Sequence, residues 1–174
     1  KTGLIEPDEV TYKHFQSLNE PIEVLTSDRD AAYERTLRLD SSEVAPKIAT
    51  PFAVDKVSNV EDVEGERIDQ AFLGSCTNGR IEDLRLATRI LEGRRIHSRV
   101  RLLVNPASMR VYEQAVKEGL IEKLVESGAA VCCPTCGPCL GMSQGVLAAD
   151  EVCVSTSNRN FVGRMGDRSS KVYL

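Results

Sequence analysis

The chain has 174 residues, of which 41% are hydrophobic and 28% charged, and its formal net charge is −4. This balance is typical of a globular protein with at least one full hydrophobic core, and no apolar run is long enough to cross a bilayer. Because nucleic-acid binding depends on clustered Lys and Arg side chains, we expect neither a nucleic-acid nor a membrane partner.

The two ends of the sequence look internal. Lys1 is not an initiator Met, the first residues carry no signal peptide, and residues 171–174 stop within a strand-like run. We therefore expect a piece of a longer polypeptide. Six cysteines without a secretory signal indicate a reducing compartment, the cytoplasm, where Cys-x-x-Cys marks a metal or redox site more often than a structural disulfide.

Residues 1–65 have an irregular pattern. Asp8 is placed to cap a short helix that runs through Leu18. Partial alternation of apolar and polar residues over 33–40 predicts an edge or half-exposed strand. Prolines indicate extended connections in 45–52, and an acidic stretch follows that we expect at the surface. We place a domain boundary between residues 65 and 66.

Residues 66–174 alternate between short apolar runs and segments with helical spacing. Strands that alternate with helices predict an α/β fold built on a mostly parallel sheet with right-handed crossovers. The predicted strands are 68–73, 100–104, 129–132 and 151–154, and the predicted helices follow Arg80, Ser108 and Leu120.

The unusual side chains follow these strands directly. Cys76 comes after the first strand of this region, Cys136 and Cys139 after the third, and the polar run 155–160 after the fourth. The carboxyl ends of parallel strands meet at one edge of a sheet, where open α/β folds bind ligands. We therefore expect these residues to converge although they are far apart in sequence.

The pair in Cys136-Gly137-Pro138-Cys139, together with Cys76, suits a metal or iron–sulfur site. Three thiolates are one fewer than a closed structural centre uses, and an open position implies Lewis-acid chemistry. A structural zinc site and inert buried thiols are the alternatives at this point.

Cys133 extends the pair into a Cys-x-x-Cys-x-x-Cys run, as in bacterial ferredoxins. The further cysteine followed by proline that the ferredoxin pattern needs is missing from the sequence. We expect Cys132 and Cys133 to be strand-end thiols near the site. Cys153, between two valines, is predicted to be a buried core thiol.

The run 155–164 combines hydroxyls, amides and the guanidinium groups of Arg159 and Arg164. Arginine pairs bidentately with carboxylates, so this run favours a substrate that carries two carboxylates. Arginines in a solvated surface loop are the alternative interpretation.

Several strings carry a family resemblance: Gly74-Ser75-Cys76-Thr77-Asn78-Gly79-Arg80-Ile81-Glu82-Asp83-Leu84-Arg85, Asn105-Pro106-Ala107-Ser108, Cys136-Gly137-Pro138-Cys139-Leu140-Gly141, Ser155-Thr156-Ser157-Asn158-Arg159-Asn160-Phe161, Gly163-Arg164-Met165-Gly166 and Val172-Tyr173-Leu174. In them the sequence is similar to the large subunits of 3-isopropylmalate dehydratases, within the aconitase superfamily. Residues 1–8 resemble the family stretch just before the third α/β domain.

This resemblance implies a three-layer αβα fold. Residues 66–174 would be the aconitase-like third domain, which binds the cluster, and residues 1–65 the end of the preceding domain and its connection. It also implies a [4Fe-4S] cluster held by Cys76, Cys136 and Cys139. Arg159 and Arg164 would line the substrate site, and Asn158 would lie near the cluster.

For the reaction, the resemblance implies a hydro-lyase that isomerises 2-isopropylmalate and 3-isopropylmalate by dehydration and rehydration, in leucine biosynthesis. It implies a small-subunit partner with a swivelling domain, in a heterodimer or heterotetramer, and a dicarboxylic 2-hydroxy acid as substrate. We expect the chain alone to be inactive, because the family keeps other active-site residues elsewhere.

Other interpretations remain open at this point. A homoaconitase-type or methylmalate-type dehydratase has the same large-subunit pattern. From other classes, the candidates are a zinc-stabilised interaction module using Cys76, Cys133, Cys136 and Cys139, a ferredoxin-like electron carrier, and an RNA-binding relative of aconitase.

Overall fold

The structure, a computed structural model, describes residues 3–21 and 23–174, so Lys1 and Thr2 of the stretch compared with the family lie outside it. The chain divides into two compact units, Lys1–Ser41 and Ser42–Leu174. The predicted boundary between residues 65 and 66 separates two domains of the longer proteins that the sequence resembles. This division into compact units does not test it, so it stays a prediction.

In the first unit, helix α1 covers Glu9–Leu18 and confirms the predicted cap. The Thr11 N–H donates to Asp8 Oδ1 over 2.8 Å, and the helix ends at Asn19 in the left-handed region. The predicted strand over 33–40 is wrong, since this stretch contains no strand. Leu37 and Leu39 are 67% and 87% exposed, and among the described residues of this unit the alternating pattern has no partner strand that could cover its apolar side.

The second unit contains a short antiparallel hairpin and a five-stranded sheet with helices. Its elements in chain order are β1 Lys47–Ala49, β2 Val57–Asn59, β3 Gln70–Gly74, α2 Ile81–Leu91, β4 Arg101–Asn105, α3 Met109–Lys117, α4 Leu120–Glu126, β5 Ala130–Val131, β6 Val152–Ser155 and β7 Lys171–Tyr173. No helix in the described part of the chain combines the length and apolarity needed to cross a membrane.

The sheet has the strand order β5-β4-β3-β6-β7, and each neighbouring pair is parallel. This confirms the α/β fold and the parallel sheet. The chain builds outward from β3 through β4 to β5 and then crosses to the other side of β3 for β6 and β7. The order therefore reverses between β3 and β6, the position where open α/β sheets form a ligand crevice at the carboxyl ends of the strands.

Alternate residues of the strands enter two separate cores. Leu102 and Val104 of β4 pack with Leu84 of α2 and Leu124 of α4. Leu103 of β4 and its partner Phe72 in β3 pack on the opposite face. The second core is completed by Cys139, Leu147 and Met165, from the long connections around β6. One face is thus covered by α2–α4, and the described residues on the other face are irregular segments with one short 3₁₀ helix, Gly137–Leu140.

The hairpin was not predicted from the sequence. Its strands have three residues each, and β1 also pairs with the C-terminal residue: Ala49 and Leu174 exchange backbone hydrogen bonds of 2.8 and 3.0 Å. This contact joins residues 125 positions apart in the sequence, so no local pattern could reveal it.

Candidate functional site

The turn that carries Cys76 begins at the end of the central strand β3. Gly74 has a φ of +134° and Ser75 a φ of +83°, so the chain bends sharply as it leaves the sheet. Ser75 Oγ and Thr77 Oγ1 lie 3.1 Å apart within the turn. Cys76 is exposed, and its thiol is therefore presented at the carboxyl edge of the sheet.

The second cysteine segment follows β5. Cys136 is exposed and Cys139 is 6% exposed. From Gly137 to Leu140 the chain forms a short 3₁₀ helix, and the Gly137 N–H donates to Thr135 Oγ1 over 3.0 Å. The pair therefore consists of one thiol at the surface and one that packs into the second core.

Both cysteine segments pack on Asn105, the last residue of β4. The Asn105 amide Nδ2 donates to the carbonyl of Cys133 over 3.0 Å and to Thr135 Oγ1 over 3.1 Å. On its other side, a Cβ on Gly74 would come within 2.0 Å of the Asn105 carbonyl oxygen, so only glycine permits this approach. The structure thus brings the Cys76 turn and the Cys133–Cys136 stretch against one residue.

The polar run after β6 is attached to the same strand end. The Gly74 N–H donates to Thr156 Oγ1 over 2.9 Å, and the Thr156 N–H donates to the carbonyl of Phe72 over 2.9 Å. Asn158 and Arg159 are exposed, and Arg159 Nη1 donates to the Asn158 carbonyl over 3.1 Å. The predicted polar loop therefore starts beside the Cys76 turn.

The two predicted arginines have different surroundings. Arg159 is exposed, whereas Arg164 is partly buried and its Nη2 lies 3.8 Å from Cys139 Sγ. The Arg164 Nε is buried without a hydrogen-bond partner in the residues described. A guanidinium beside a thiol, with one donor still free, is suited to an anionic neighbour.

Asn78 is a residue whose importance the sequence reasoning missed. It lies in the turn after Cys76, and its Oδ1 is buried with no hydrogen-bond partner among the described residues. Buried polar atoms without a partner are rare and call for an explanation such as a missing ligand. The only signal in the sequence was its place inside the string around Cys76.

All six cysteines are free thiols. Burial, and secondarily the charge of Cys133, raises the pKa of Cys132. Burial raises the pKa of Cys153 to about 12, and this residue is fully buried in the second core, which confirms the expectation of a buried core thiol.

Within residues 3–21 and 23–174, no three His, Cys, Asp or Glu side chains are grouped closely enough to hold a metal ion. The four-cysteine zinc alternative is therefore not preformed, and neither is a single-ion site at Cys76, Cys136 and Cys139. A multi-iron cluster uses a separate iron for each thiolate, so its ligands are spaced more widely than the ligands of a single ion.

The aconitase family (aconitate hydratase) profile matches residues 58–174, which is more than half of the chain. The chain belongs to the aconitase family. It is 52% identical to 3-isopropylmalate dehydratase large subunit 1 of Methanopyrus kandleri and 50% identical to 3-isopropylmalate dehydratase large subunit 1 of Archaeoglobus fulgidus. It is also 48% identical to the methanogen homoaconitase large subunit of Methanocaldococcus jannaschii.

Each of these alignments includes the whole of this chain. The chain spans 42% of the length of the first two relatives and 44% of the third.

Proposed function

We propose that this chain is the cluster-carrying part of a 3-isopropylmalate dehydratase large subunit. The whole protein would be a hydro-lyase that isomerises 2-isopropylmalate and 3-isopropylmalate in leucine biosynthesis. The observation that carries the proposal is the arrangement of the two cysteine segments around Asn105 at the strand ends, in a chain about half identical to relatives of that name.

The residues present fit a [4Fe-4S] cluster. Cys76, Cys136 and Cys139 are free thiols at the carboxyl edge of the sheet, and thiolates are the usual cluster ligands. Unpartnered buried atoms of Asn78 and Arg164 are also consistent with a missing group. The three cysteines would each hold one iron, and the cluster supplies, when bound, a fourth iron position that acts as a Lewis acid toward the substrate hydroxyl.

The other side chains would bind and orient the substrate. Arg159 presents a guanidinium to solvent beside Asn158, which suits bidentate pairing with a carboxylate. Arg164 lies against Cys139, so it would place its charge between the cluster ligand and an anionic substrate. Asn158 would lie near the cluster through the loop that Thr156 attaches to β3.

The names of the relatives support a partner. They are called large subunits, so we propose a small subunit that carries the swivelling domain and completes the active site, in a heterodimer or heterotetramer. The substrate would be a dicarboxylic 2-hydroxy acid. We also propose that the protein works in the cytoplasm, where its six thiols stay reduced.

A homoaconitase-type activity is the second candidate, because the Methanocaldococcus jannaschii relative carries that name at 48% identity. Both reactions would use the same thiols and arginines, so they differ only in the substrate side chain. An assay of the whole protein with its small subunit on isopropylmalate and on homocitrate separates them.

The cofactor is tested by reconstituting the whole protein with iron and sulfide without oxygen and recording absorption and EPR spectra. Separate variants replace each of four cysteines by serine: Cys76, Cys133, Cys136 and Cys139. We expect cluster loss for all of them except Cys133→Ser, which is the matched control. Loss at Cys133 as well would indicate a four-cysteine site, and a colourless protein with stoichiometric zinc would overturn the proposal.

A further inference from the structure

The side-chain amide of Asn105 donates its hydrogen bonds to one loop, residues 133–135. Asn105 is 1% exposed, and both N–H groups of its amide are used: one donates to the carbonyl of Cys133 and the other to Thr135 Oγ1. Thr135 Oγ1 in turn accepts from the Gly137 N–H. These bonds fix the backbone on both sides of Cys136.

The backbone of the same residue supports the other cysteine. A Cβ on Gly79 would come within 2.5 Å of the Asn105 carbonyl oxygen, and the Ala107 N–H donates to the Gly79 carbonyl over 2.9 Å. The Cys76 turn lies between Gly74 and Gly79, so both its ends pack against the end of β4. Asn105 therefore contacts one cysteine segment through its side chain and the other through its main chain.

We propose that Asn105 is the positioning residue that fixes Cys136 relative to Cys76. An apolar side chain of similar size would fill the same space, but the Cys133 carbonyl would lose the donor that Asn105 supplies and the Thr135 hydroxyl would keep only the Gly137 N–H. The role of the two thiols as ligands rests on the proposed function, whereas their relative placement by Asn105 does not.

The test uses the whole protein with the variants Asn105→Asp and Thr135→Val. Asn105→Asp keeps the size of the side chain and removes the donors, and Thr135→Val removes the acceptor from an exposed residue without altering the core. Ser127→Ala is the control. It removes a buried hydroxyl that donates to the Leu124 carbonyl over 2.6 Å, just before β5 and so at the opposite edge of the sheet.

The first measurement is the alkylation rate of each thiol in cluster-free protein, followed by mass spectrometry. Cys139 is the reporter, because it is 6% exposed in the 3₁₀ helix that follows Cys136, whereas Cys136 is already exposed. Each variant loses two hydrogen bonds of on the order of 1 kcal/mol each, so we expect Cys139 to react at least about tenfold faster in both Asn105→Asp and Thr135→Val. Cys153 is fully buried in the second core and serves as an internal reporter of global unfolding. Its rate should not change in any variant.

The second measurement is iron and sulfide per chain after reconstitution without oxygen. We expect loading of less than half the wild-type value in Asn105→Asp and full loading in Ser127→Ala. Unchanged alkylation of Cys139 in Thr135→Val would overturn the positioning role, even if Asn105→Asp unfolds and exposes Cys153. Faster alkylation in the variants of a protein that takes up no cluster would support positioning and overturn the proposed function instead.

Discussion

The close approach of two strand ends requires glycine at position 74, and this requirement can be tested. The end of β3 approaches the end of β4 so closely that a Cβ on Gly74 would lie 2.0 Å from the Asn105 carbonyl oxygen and 2.8 Å from its carbonyl carbon. Its φ of +134° is also a conformation that other residues rarely adopt. The contact is between two backbones, so no side-chain rotation can relieve it.

We therefore expect Gly74→Ala to lower the free energy of unfolding by about 3 kcal/mol or more, because two packed strand ends must separate. Gly93→Ala is the matched control: Gly93 has a φ of +70° but no atom within 4 Å of the added Cβ. Gly93→Ala should lower the free energy of unfolding by about 1 kcal/mol, because alanine is less stable than glycine in the left-handed conformation. Urea titration of both variants measures the difference, and equal losses would contradict the close approach.

Cys153 is expected to make stability depend on alkaline pH. Burial raises its pKa to about 12 from the ordinary thiol value of 9.0, so the unfolded chain loses the thiol proton at lower pH than the folded chain does. The contribution of this residue is complete below pH 9 and is lost as pH rises toward 12. Its slope can reach about 1.4 kcal/mol per pH unit in that window.

The measurement is the free energy of unfolding under reducing conditions from pH 8 to 11, for the wild type and for Cys153→Ala. Subtracting the two profiles removes the other titrating thiols, including Cys132. We expect the wild type to lose more stability with rising pH than Cys153→Ala does. Parallel profiles would show that the thiol ionises equally in both states.

Helix α3 is capped at its N-terminus by a single side chain, that of Ser108. Ser108 has an extended backbone, and its Oγ accepts a hydrogen bond from the Val111 N–H over 3.3 Å. The helix begins at Met109, shortly after β4 ends at Asn105, so its first turn also fixes the direction in which the chain leaves the site.

Ser108→Ala should lower the free energy of unfolding by about 1 kcal/mol, because one N–H of the first turn loses its acceptor. Ser108→Asp should keep most of the stability, since aspartate caps equally well and its charge favours the helix N-terminus. Urea denaturation of the three proteins measures this. A loss of the same size in Ser108→Asp would mean that the hydroxyl acts through something other than the cap.

The sequence predicted elements well where each one is a complete amphipathic unit. The strands and helices of 66–174 appear in order because their apolar residues repeat with the period of the element that buries them. The strand over 33–40 is wrong because alternation alone does not provide a partner strand. The β1–β2 hairpin was missed because its second partner is Leu174, at the far end of the chain.

For the site, the sequence predicted which loops meet but not what holds them. Placing cysteines after parallel strands was enough to expect convergence at one edge. Asn105 and Asn78 could not be chosen, because an asparagine after a strand looks like an ordinary turn residue. Only the burial of Asn105 and its two donated bonds distinguish it.

The sheet topology places the candidate site residues at the carboxyl edge of the sheet. The cysteine segments and the polar run after β6 leave the carboxyl ends of β3, β5 and β6, around the reversal of strand order. His97 is the only histidine in residues 42–174, and it precedes β4, at the opposite edge. This unit therefore supplies thiols, amides and guanidiniums to the site but no imidazole for proton transfer.

We therefore predict that the chain alone shows no dehydratase turnover even when its cluster is loaded. Dehydration needs a base that removes a proton next to the leaving hydroxyl, within hydrogen-bond reach of the substrate. The remainder of the large subunit and the small subunit would bring that group. The experiment compares three cluster-loaded samples on isopropylmalate: the chain alone, the whole large subunit, and the whole large subunit with its small subunit.

We expect activity only in the third sample. In that sample Arg159→Ala should raise KM at least tenfold, because a lost contact with a carboxylate is worth about 1.5–3 kcal/mol. Arg94→Ala is the control, because Arg94 is exposed beyond α2, at the edge opposite the cysteines. Measurable turnover by the chain alone would show that its own carboxylates or water perform the proton transfer, and the need for a second subunit would then be wrong.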